Sequence, residues 1–575
     1  MVHKLISKGK KILVDPQQTV LSAATIIMFM ILASRVLGLV RQRVLAHFFT
    51  PEELSLFFAA FRLPDLVFEI LVFGTFSSAF IPVFSKKLKE GNHSAWDMAS
   101  YIVNIGLVIF IALALILSLT ADKFYQIIAP GYGLSEQAVI SYLTKILFAA
   151  QGFFVVSYVL TGVLESSRRF FIPALAPLFY NLGIIIATVF FSKRLGLYAP
   201  TLGVVLGALS HFLIQLPLSV KLGFRFKLAI KINEDIKKIG RLAYPRLIEV
   251  SFLQISKSAE LFFASLISVA SYTYYTFGNT LQLLPIGLFG LPIAKAVLPT
   301  LSRQSEDIPT FKKTLISALY QCAFLTIPLS VFFIVLRVPL IRLVYGTDIF
   351  DWTATVTTGY VLSAFSVGIF FQAANSIVAR GFYALHDTKT PVLISLTAIF
   401  ITVVADFIFI KVLQLDIWAL ASAFTLGSFI QFLLLLLIIK NRIKGFPEKF
   451  LNPFVKIIFT SAFSGLFMYM ILKVFDRSVW VKRLSFFGKF DFSQNVDFEK
   501  FVLDTRYTFN LLILTAIVLI VGVVLYIAIS LCLDSKEAKA FLSILKRILI
   551  RRKPAPIPDK EQESVVPTTE DTSLG

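Results

Sequence analysis

Charged residues are scarce in this chain of 575 residues, since Asp, Glu, Lys and Arg together make up only 15% of it. Ordinary soluble domains carry about 25% charged residues, whereas 57% of this chain is hydrophobic. So few polar side chains could not cover the surface of a water-soluble core of this size. The composition therefore excludes a soluble protein and predicts a chain dissolved in lipid.

Cysteine and histidine are also few, with 2 Cys and 5 His. Cys322 and Cys532 lie far apart in apolar stretches, which predicts two buried thiols and not a disulfide. The scattered histidines have no metal-ligand spacing, and the sequence has no HExxH, CxxC, Walker or GxSxG motif. The sequence therefore predicts a protein that is not an enzyme and that holds no metal and no cofactor.

Positive charge is in excess, with a formal net charge of +21. In a soluble protein this excess would suggest a nucleic-acid partner. Here the cations lie in short loops between apolar runs, so the bilayer is the expected partner and no nucleic acid is predicted. Alternate loops, counted from the N-terminal segment, hold 24 and 12 Lys and Arg residues. This asymmetry predicts that both termini are cytoplasmic.

Apolar runs of about 20 residues, long enough to cross a bilayer, recur about fourteen times along the sequence. They predict an all-α polytopic membrane protein with two six-helix lobes around a central cavity and two accessory helices. The predicted runs lie near 20–47, 54–84, 97–120, 136–165, 172–192, 200–220, 242–267, 273–301, 314–336, 353–383, 391–410, 417–439, 453–475 and 508–533.

These runs predict six regions along the chain. They are a basic cytoplasmic N-terminus (1–19), an N-lobe (20–220), a basic cytoplasmic linker (221–241), a C-lobe (242–439), two accessory helices with an outer loop at 476–507 (453–533), and a cytoplasmic amphipathic helix with a disordered tail (534–575).

Ionisable residues at bilayer depth are the candidates for function, because an arginine or lysine at a helix centre costs about 2.5 to 3.5 kcal/mol to insert. The first two runs carry Arg35, Arg41 and Arg62. Guanidinium groups suit a phosphate or diphosphate because they donate paired hydrogen bonds and keep their charge. The alternative is that Arg62 pairs with Asp65 or Glu69 on its own helix.

A second charged stripe lies on the seventh run, with Arg246, Glu249, Lys257 and Glu260 within one arc of the helix. Ion pairing within this stripe, at spacings of three residues, competes with contact to a ligand. Two further charged residues lie alone in apolar runs: Lys295 in the eighth run and Asp406 in the eleventh. Lys295 is the better cavity candidate because its own helix offers it no partner.

Several sequence blocks at matching spacing closely resemble the MurJ (MviN) lipid II flippase family, of the multidrug/oligosaccharidyl-lipid/polysaccharide exporter superfamily. They are SRVLGLVRQR from Ser34, FFAAFRLPDL from Phe57, GTFSSAFIPVF from Gly74, RRFFIPALAPLFYNLGIII from Arg168, LPIGLFG from Leu284 and GFYALHDTKTPV from Gly381. The resemblance runs from about residue 20 to 530.

The resemblance implies a V-shaped cationic cavity between the lobes and a groove for a polyprenyl tail beside the last two helices. It implies alternating access that moves a lipid-linked peptidoglycan precursor from the inner to the outer leaflet of the bacterial plasma membrane. Arg35, Arg41 and Arg62 match family positions that bind the diphosphate and sugar. A monomer is expected, with association with the cell-wall synthesis machinery as a further interpretation.

The sequence departs from the family pattern at several charged positions. Gln42 and Ser55 replace acidic residues, Phe68 and Glu69 replace an arginine pair, and Thr280, beside Asn279, replaces an arginine of the eighth helix. Lys257 and Lys295 could replace those arginines for the same substrate. The other interpretations are a flippase for another polyprenyl-diphosphate-linked glycan and a non-transporting scaffold of the cell envelope.

The energy source stays open at the level of sequence. Some relatives bind sodium in the second lobe, and Asp406 lies where the family commonly has asparagine, so Asp406 is a candidate for Na⁺ or H⁺ coupling. The membrane potential is the other candidate, since each charge is worth about 2.3 kcal/mol per 100 mV.

Overall fold

The computed structural model describes residues 20–73, 80–89, 94–476 and 508–549. Within these ranges, twelve helical segments are long and apolar enough to cross a membrane. The all-α polytopic fold is confirmed. The predicted basic N-terminus, the outer loop from residue 477 and the predicted tail from residue 550 lie outside the described residues.

The first group of helices packs around α6 and α8, and the first helix lies against α7. Thr50 caps the start of α2 with a capping box. The Thr50 hydroxyl accepts from the Glu53 backbone amide, and the Glu53 carboxylate accepts from the Thr50 backbone amide. The helices are α1 (Val20–Phe48), α2 (Pro51–Ala60), α3 (Arg62–Phe68), α4 (Ile81–Lys89), α5 (Ser94–Ile128), α6 (Leu134–Ser166), α7 (Phe171–Leu195) and α8 (Tyr198–Leu222).

The second group packs around one long central helix, α14. Asn233, Asp307 and Asp351 start three of its helices, each with a side-chain oxygen that accepts from a backbone amide of the first turn. The helices are α9 (Glu234–Ile267), α10 (Ser271–Pro285), α11 (Leu291–Arg303), α12 (Ile308–Val335), α13 (Arg337–Tyr345), α14 (Trp352–Ala384), α15 (Lys389–Phe407) and α16 (Trp418–Arg442).

In the described ranges, three complete π-helical turns, wider than a regular α-helical turn, directly follow helices. The turns lie at Glu69–Phe73 after α3, Ile286–Gly290 between α10 and α11, and Ile408–Val412 after α15. Such turns occur often at functional sites, because they rotate the following side chains relative to a regular helix. The first of them begins at Glu69, one of the charged residues of the site described below.

The last helices are α17 (Asn452–Phe475), α18 (Thr508–Cys532) and the short α19 (Lys536–Leu549). The Tyr526 hydroxyl of α18 donates to the Phe324 carbonyl of α12 at 2.8 Å, which fixes this pair to the C-lobe. On α19, Phe541 contacts the ring of Phe324 and Ala538 is fully buried. Both cysteines are free, and only Cys322 is buried. The predicted burial of Cys532 is wrong because it lies on the exposed side of the last turn of α18.

Close packing of α7 and α8 depends on glycine. A Cβ atom added at Gly207 would lie 2.6 Å from the carbonyl oxygen of Tyr180, and one added at Gly183 would lie 2.6 Å from the Gly207 Cα. The two backbones therefore approach more closely than any larger residue permits. This approach sets the position of Tyr180, which lines the cavities of the next subsection.

We expect Gly207→Val to lower the free energy of unfolding by about 1 to 3 kcal/mol, the usual cost of overpacking. Gly240→Ala is the matched control, since a Cβ at Gly240 would meet nothing within 4 Å. Melting temperatures of the purified protein in detergent measure the difference. Equal melting temperatures for the two variants would show that α7 and α8 can move apart to hold the valine without a loss of stability.

A capping carboxylate lies in the turn between α14 and α15, outside the membrane-spanning segments. Asp387 accepts from the Thr390 amide at 3.0 Å, from the Thr390 hydroxyl at 2.7 Å and from Arg442 at 3.1 Å. The hydrogen bond from the Thr390 backbone, aided by its hydroxyl and by the Arg442 charge, lowers the pKa of Asp387 from its ordinary value of 3.8.

A lowered pKa means that Asp387 stabilises the fold above pH 3.8, and that this contribution is lost as the pH falls through the lowered value. We therefore expect Asp387→Asn to lower the melting temperature at pH 7 and to have less effect at pH 3. A difference between wild type and variant that stays constant from pH 7 to pH 3 would contradict this role.

Candidate functional site: charged cavities between the lobes

A cavity of about 290 Å³ lies between the two lobes. Most of its wall comes from α1, α2, α3, α6 and α7, and Tyr272 and Thr276 of α10 close the opposite side. The polar and charged residues of the wall are Arg41, Gln42, Arg62, Asp65, Gln151, Tyr180, Tyr272 and Thr276.

A second cavity of about 200 Å³ shares Asp65, Gln151 and Tyr180 with the first and is therefore adjacent to it. Within the part of the chain that the structure describes, its wall contains no Lys or Arg. Its other wall residues are Phe68, Glu69, Phe154, Tyr158, Pro177 and His211.

Among the described residues, Arg41 faces the first cavity without a carboxylate partner. Its guanidinium carbon lies 5.9 Å from the centre of the Tyr180 ring, a cation–π distance. Its Nε is buried and has no hydrogen-bond partner among the described residues. An unpaired guanidinium on a cavity wall is a suitable donor for an anionic ligand.

Arg62 is 8% exposed and lies on the same wall. Its Nη2 atom is 3.6 Å from Asp65 Oδ2, so the alternative of pairing within the helix is observed. This distance is long for a charge-assisted hydrogen bond, and the Arg62 Nε has no partner in the part of the chain that the structure describes. Gln151 donates to the other Asp65 oxygen at 2.7 Å.

Glu69 connects the two lobes. Lys257 Nζ of α9 lies 2.9 and 3.0 Å from its two carboxylate oxygens, and Gln254 also donates to it. The spacing along α9 predicts a pairing of Lys257 with Glu260. Lys257 pairs with Glu69 instead, because α9 and the segment after α3 face each other across the boundary between the lobes. Glu69 stands where the family resemblance places an arginine, so the cation at this place comes from the opposite lobe.

Two further carboxylates lie near this ion pair. Glu260 is half-buried on α9 and interacts electrostatically with Arg62 and Lys257. Asp406 on α15 is 2% exposed and interacts with Glu260, and its Oδ1 has no hydrogen-bond partner among the described residues. With Asp65 and Glu69, the described residues of this region include four carboxyl groups and three cations, Arg41, Arg62 and Lys257.

The two other arginines of α1 bind backbone carbonyls. Arg35 Nη1 lies 3.4 Å from the Leu283 carbonyl of α10, and its guanidinium lies where a Cβ of Gly287 would be. Arg43 Nη1 donates to the Leu343 carbonyl at 2.7 Å, at the end of α13. Neither arginine is part of the walls of the two cavities. Because it bonds Leu283, Arg35 lies at the contact between α1 and the second group of helices.

Two other predicted site residues, Asn279 and Lys295, lie outside the walls of both cavities. The Asn279 side-chain oxygen Oδ1 accepts from the Gln282 side chain at 2.9 Å, and Lys295 is exposed on α11. Arg246 and Glu249 belong to α9, and their side chains fall outside what the structure describes.

One end of the boundary between the lobes is closed by neutral hydrogen bonds. The hydroxyls of Ser55 and Thr273 lie 2.9 Å apart, and the Thr273 hydroxyl also bonds the Pro51 carbonyl at 2.7 Å. Nearby, the Tyr345 hydroxyl donates to Gln42 at 2.9 Å. Ser55 and Gln42, both departures from the family pattern, therefore join the two lobes through neutral hydrogen bonds.

Several uncharged members of the site are not recognisable from the sequence, among them Gln151, Tyr158, Tyr180, His211 and Gln254. Of these five, only Tyr180 lies within a block that resembles the family, and nothing in its spacing separates it from the aromatic residues that face lipid. The signal that could have found Gln151 and Gln254 is the presence of an amide in an apolar helix, since such groups need a partner in lipid.

Comparison with known proteins identifies the family. The family model described as "Lipid II flippase MurJ" matches residues 44–491. The chain belongs to the MurJ family. A curated relative from Vibrio cholerae, "Probable lipid II flippase MurJ", is 29% identical over 416 residues, 69% of this chain and 78% of the relative. One from Burkholderia cenocepacia, "Lipid II flippase MurJ", is 25% identical over 425 residues, 72% and 82% of the two chains.

Solved structures agree with this membership. The structure titled "Lipid II flippase MurJ, inward closed conformation" matches with a TM-score of 0.71 and 25% identity, over 91% of this chain and 99% of its own. A multidrug resistance MATE transporter of the MOP superfamily, inward-facing, matches with a TM-score of 0.60 at 14% identity, over 72% and 94%, and shows the shared fold alone. This MurJ family member is therefore a multi-pass membrane transporter and not an enzyme.

Proposed function

We propose that this MurJ family member moves a lipid-linked peptidoglycan precursor from the inner to the outer leaflet of the bacterial inner membrane, with both termini cytoplasmic. The observation that carries the proposal is Arg41, whose guanidinium lies on the wall of a cavity between two lobes and has no carboxylate partner in the described ranges. Relatives named as lipid II flippases support the choice of cargo.

The diphosphate would bind at Arg41, because the other cations of the region already have carboxylate partners. A cavity of about 290 Å³ lies at the lower end of the roughly 300–1,000 Å³ of ligand pockets. It would hold the diphosphate and the adjoining part of the sugar. The polyprenyl tail would stay in lipid, which avoids the cost of moving it through a polar interior.

Alternating access would require the closed end to open and the lobes to separate around the cargo. Each neutral hydrogen bond at that end has a modest net value, about 0.5 to 1.5 kcal/mol. Opening is therefore within reach of the binding energy of a charged head group. The Glu69–Lys257 bridge would have to open or rearrange in the same step, since it joins α3 of one lobe to α9 of the other.

A flippase for another polyprenyl-diphosphate-linked glycan is the second candidate. It is favoured by Glu69, a carboxylate where the family resemblance implies a cation, because this change alters the charge that the head group meets. Complementation in cells depleted of their own MurJ separates the candidates. Growth supports the first, and absence of growth with transport of another glycan supports the second. Absence of both supports the scaffold interpretation.

For energy coupling we propose Asp406, with Na⁺, H⁺ or the membrane potential as the source. The support is its buried carboxylate oxygen, which lacks a partner in the described ranges, and the nearby Glu260. We expect Asp406→Asn to remove the dependence of transport on a sodium or proton gradient. Transport that ignores sodium, pH and potential in the wild type would contradict coupling of any kind.

The two lysines implied as replacements for family arginines are tested together. Lys257→Ala is expected to lower transport, because it leaves Glu69 without its cation, whereas Lys295→Ala is expected to have little effect because Lys295 is exposed away from both cavities. Unchanged transport in the double variant would remove the compensation hypothesis.

A further inference from the structure

The second cavity has the composition of a cation site. Its wall combines the carboxylates of Asp65 and Glu69 with aromatic rings, and no Lys or Arg of the described residues lines it. Aromatic faces attract an ammonium group through the negative charge of the ring face, most strongly where water is excluded. The first cavity, with Arg41 and Arg62 in its wall, has the opposite preference.

A second, independent observation is an unsatisfied acceptor on the shared wall. Gln151 is 5% exposed, lines both cavities and donates its amide hydrogen to Asp65. Its side-chain oxygen is buried and has no hydrogen-bond partner among the described residues. A buried acceptor left without a donor costs about 1 to 3 kcal/mol, so a ligand N–H group that reached this oxygen would be favoured.

The charges around the second cavity also leave room for one cation. Among the described residues, the carboxyl groups of Asp65, Glu69 and Glu260 outnumber the cations of Arg62 and Lys257 around the second cavity. Arg41 is not counted, because it is the cation proposed for the diphosphate. A carboxylate without a cation is costly at bilayer depth, and a ligand ammonium group would give the third carboxyl group a partner.

We propose that the second cavity binds a primary ammonium group carried by the peptide of the cargo, while the diphosphate binds at Arg41 in the first. This inference rests on the proposed function and adds a specificity determinant to it. The adjacent cavities then recognise the two ends of a dipolar head group. A precursor that lacks the amine would bind less tightly, although its diphosphate is unchanged.

The test compares two cargoes on the same full-length protein. One is an undecaprenyl-diphosphate disaccharide pentapeptide with lysine at the third peptide position, and the other is the same molecule with that lysine amine acetylated. Nanodiscs of phosphatidylglycerol and cardiolipin exclude lipid head groups that carry an ammonium. We expect the free amine to bind about tenfold more tightly than the acetylated form, a difference of the size that a desolvated cation site gives.

Variants locate the preference. Glu69→Gln removes one charge of the second cavity and should reduce the tenfold preference for the free amine over the acetylated cargo to less than about threefold. Glu165→Gln removes a carboxylate of α6 outside both cavity walls and should keep the full preference. Both cargoes are measured on each variant, so loss of folded protein cannot imitate a change in preference.

Equal binding of the two cargoes by the wild type, or tighter binding of the acetylated one, would overturn the ammonium site and leave the flippase proposal standing. A preference that survives unchanged in both Glu69→Gln and Asp65→Asn would also overturn it. Binding of neither cargo would overturn both proposals.

Discussion

Replacement of Arg41 by alanine is expected to lower transport of the precursor about 100-fold, the loss that follows when two charge-assisted hydrogen bonds to phosphate are removed. Arg41 has no carboxylate partner among the described residues, so its charge is available to a ligand. Proteoliposomes with labelled precursor measure the rate, and complementation of depleted cells gives an independent readout.

Arg43→Ala is the matched control, because Arg43 lies on the same helix two residues away and donates to the Leu343 and Val344 carbonyls. We expect this variant to lower thermal stability modestly and to keep most of the transport. Arg41→Ala should leave the melting temperature nearly unchanged, since it breaks no ion pair. Similar losses of transport in Arg41→Ala and Arg43→Ala would show that both arginines support transport by stabilising the fold and not by binding the cargo.

Reversal of charge at Glu69 or Lys257 is expected to have the second large effect. Lys257→Glu alone places two carboxylates face to face, and Glu69→Lys alone places two ammonium groups there. Removing one partner of a buried ion pair costs about 3 to 5 kcal/mol, and this pair is partly screened because its side chains are 25% and 39% exposed. We expect a loss of about 2 kcal/mol in unfolding free energy and a corresponding loss of transport.

The double variant Glu69→Lys with Lys257→Glu should recover most of the lost stability and transport. It restores the ion pair with its partners exchanged, and it returns a cation to α3, where the resemblance to the family implies one. The coupling energy between the two sites is read from the double-mutant cycle. If the double variant is no more stable and transports no faster than the worse single variant, Glu69 and Lys257 do not act as an interacting pair.

The long helices could be predicted from the sequence because an apolar run of bilayer length has few alternatives to a helix. The run predicted at 136–165 is α6 (Leu134–Ser166). The run at 97–120 was too short, since α5 (Ser94–Ile128) continues through Asp122 and Lys123 beyond the apolar stretch. The single run at 273–301 contains a π-helical turn at Ile286–Gly290, which hydrophobicity does not encode.

The candidate site was only partly predictable. Arg41 and Arg62 could be chosen because cations at bilayer depth are costly, and both line the first cavity. The partner of Lys257 could not be predicted, because residue spacing identifies only neighbours on the same helix. Its partner, Glu69, belongs to the other lobe. The exclusion of Lys295 and Asn279 from both cavity walls likewise depends on the direction in which α10 and α11 face, which only packing decides.

The most direct test of the proposed function is the movement of a fluorescent lipid-linked precursor across the bilayer of proteoliposomes that contain only the purified protein. A membrane-impermeant quencher reports the fraction of label that reaches the opposite leaflet with time. We expect rapid equilibration with the wild type, and with Arg41→Ala the slow rate of protein-free vesicles. Equal rates for wild type, Arg41→Ala and empty vesicles would contradict a flippase that binds its cargo through this cavity.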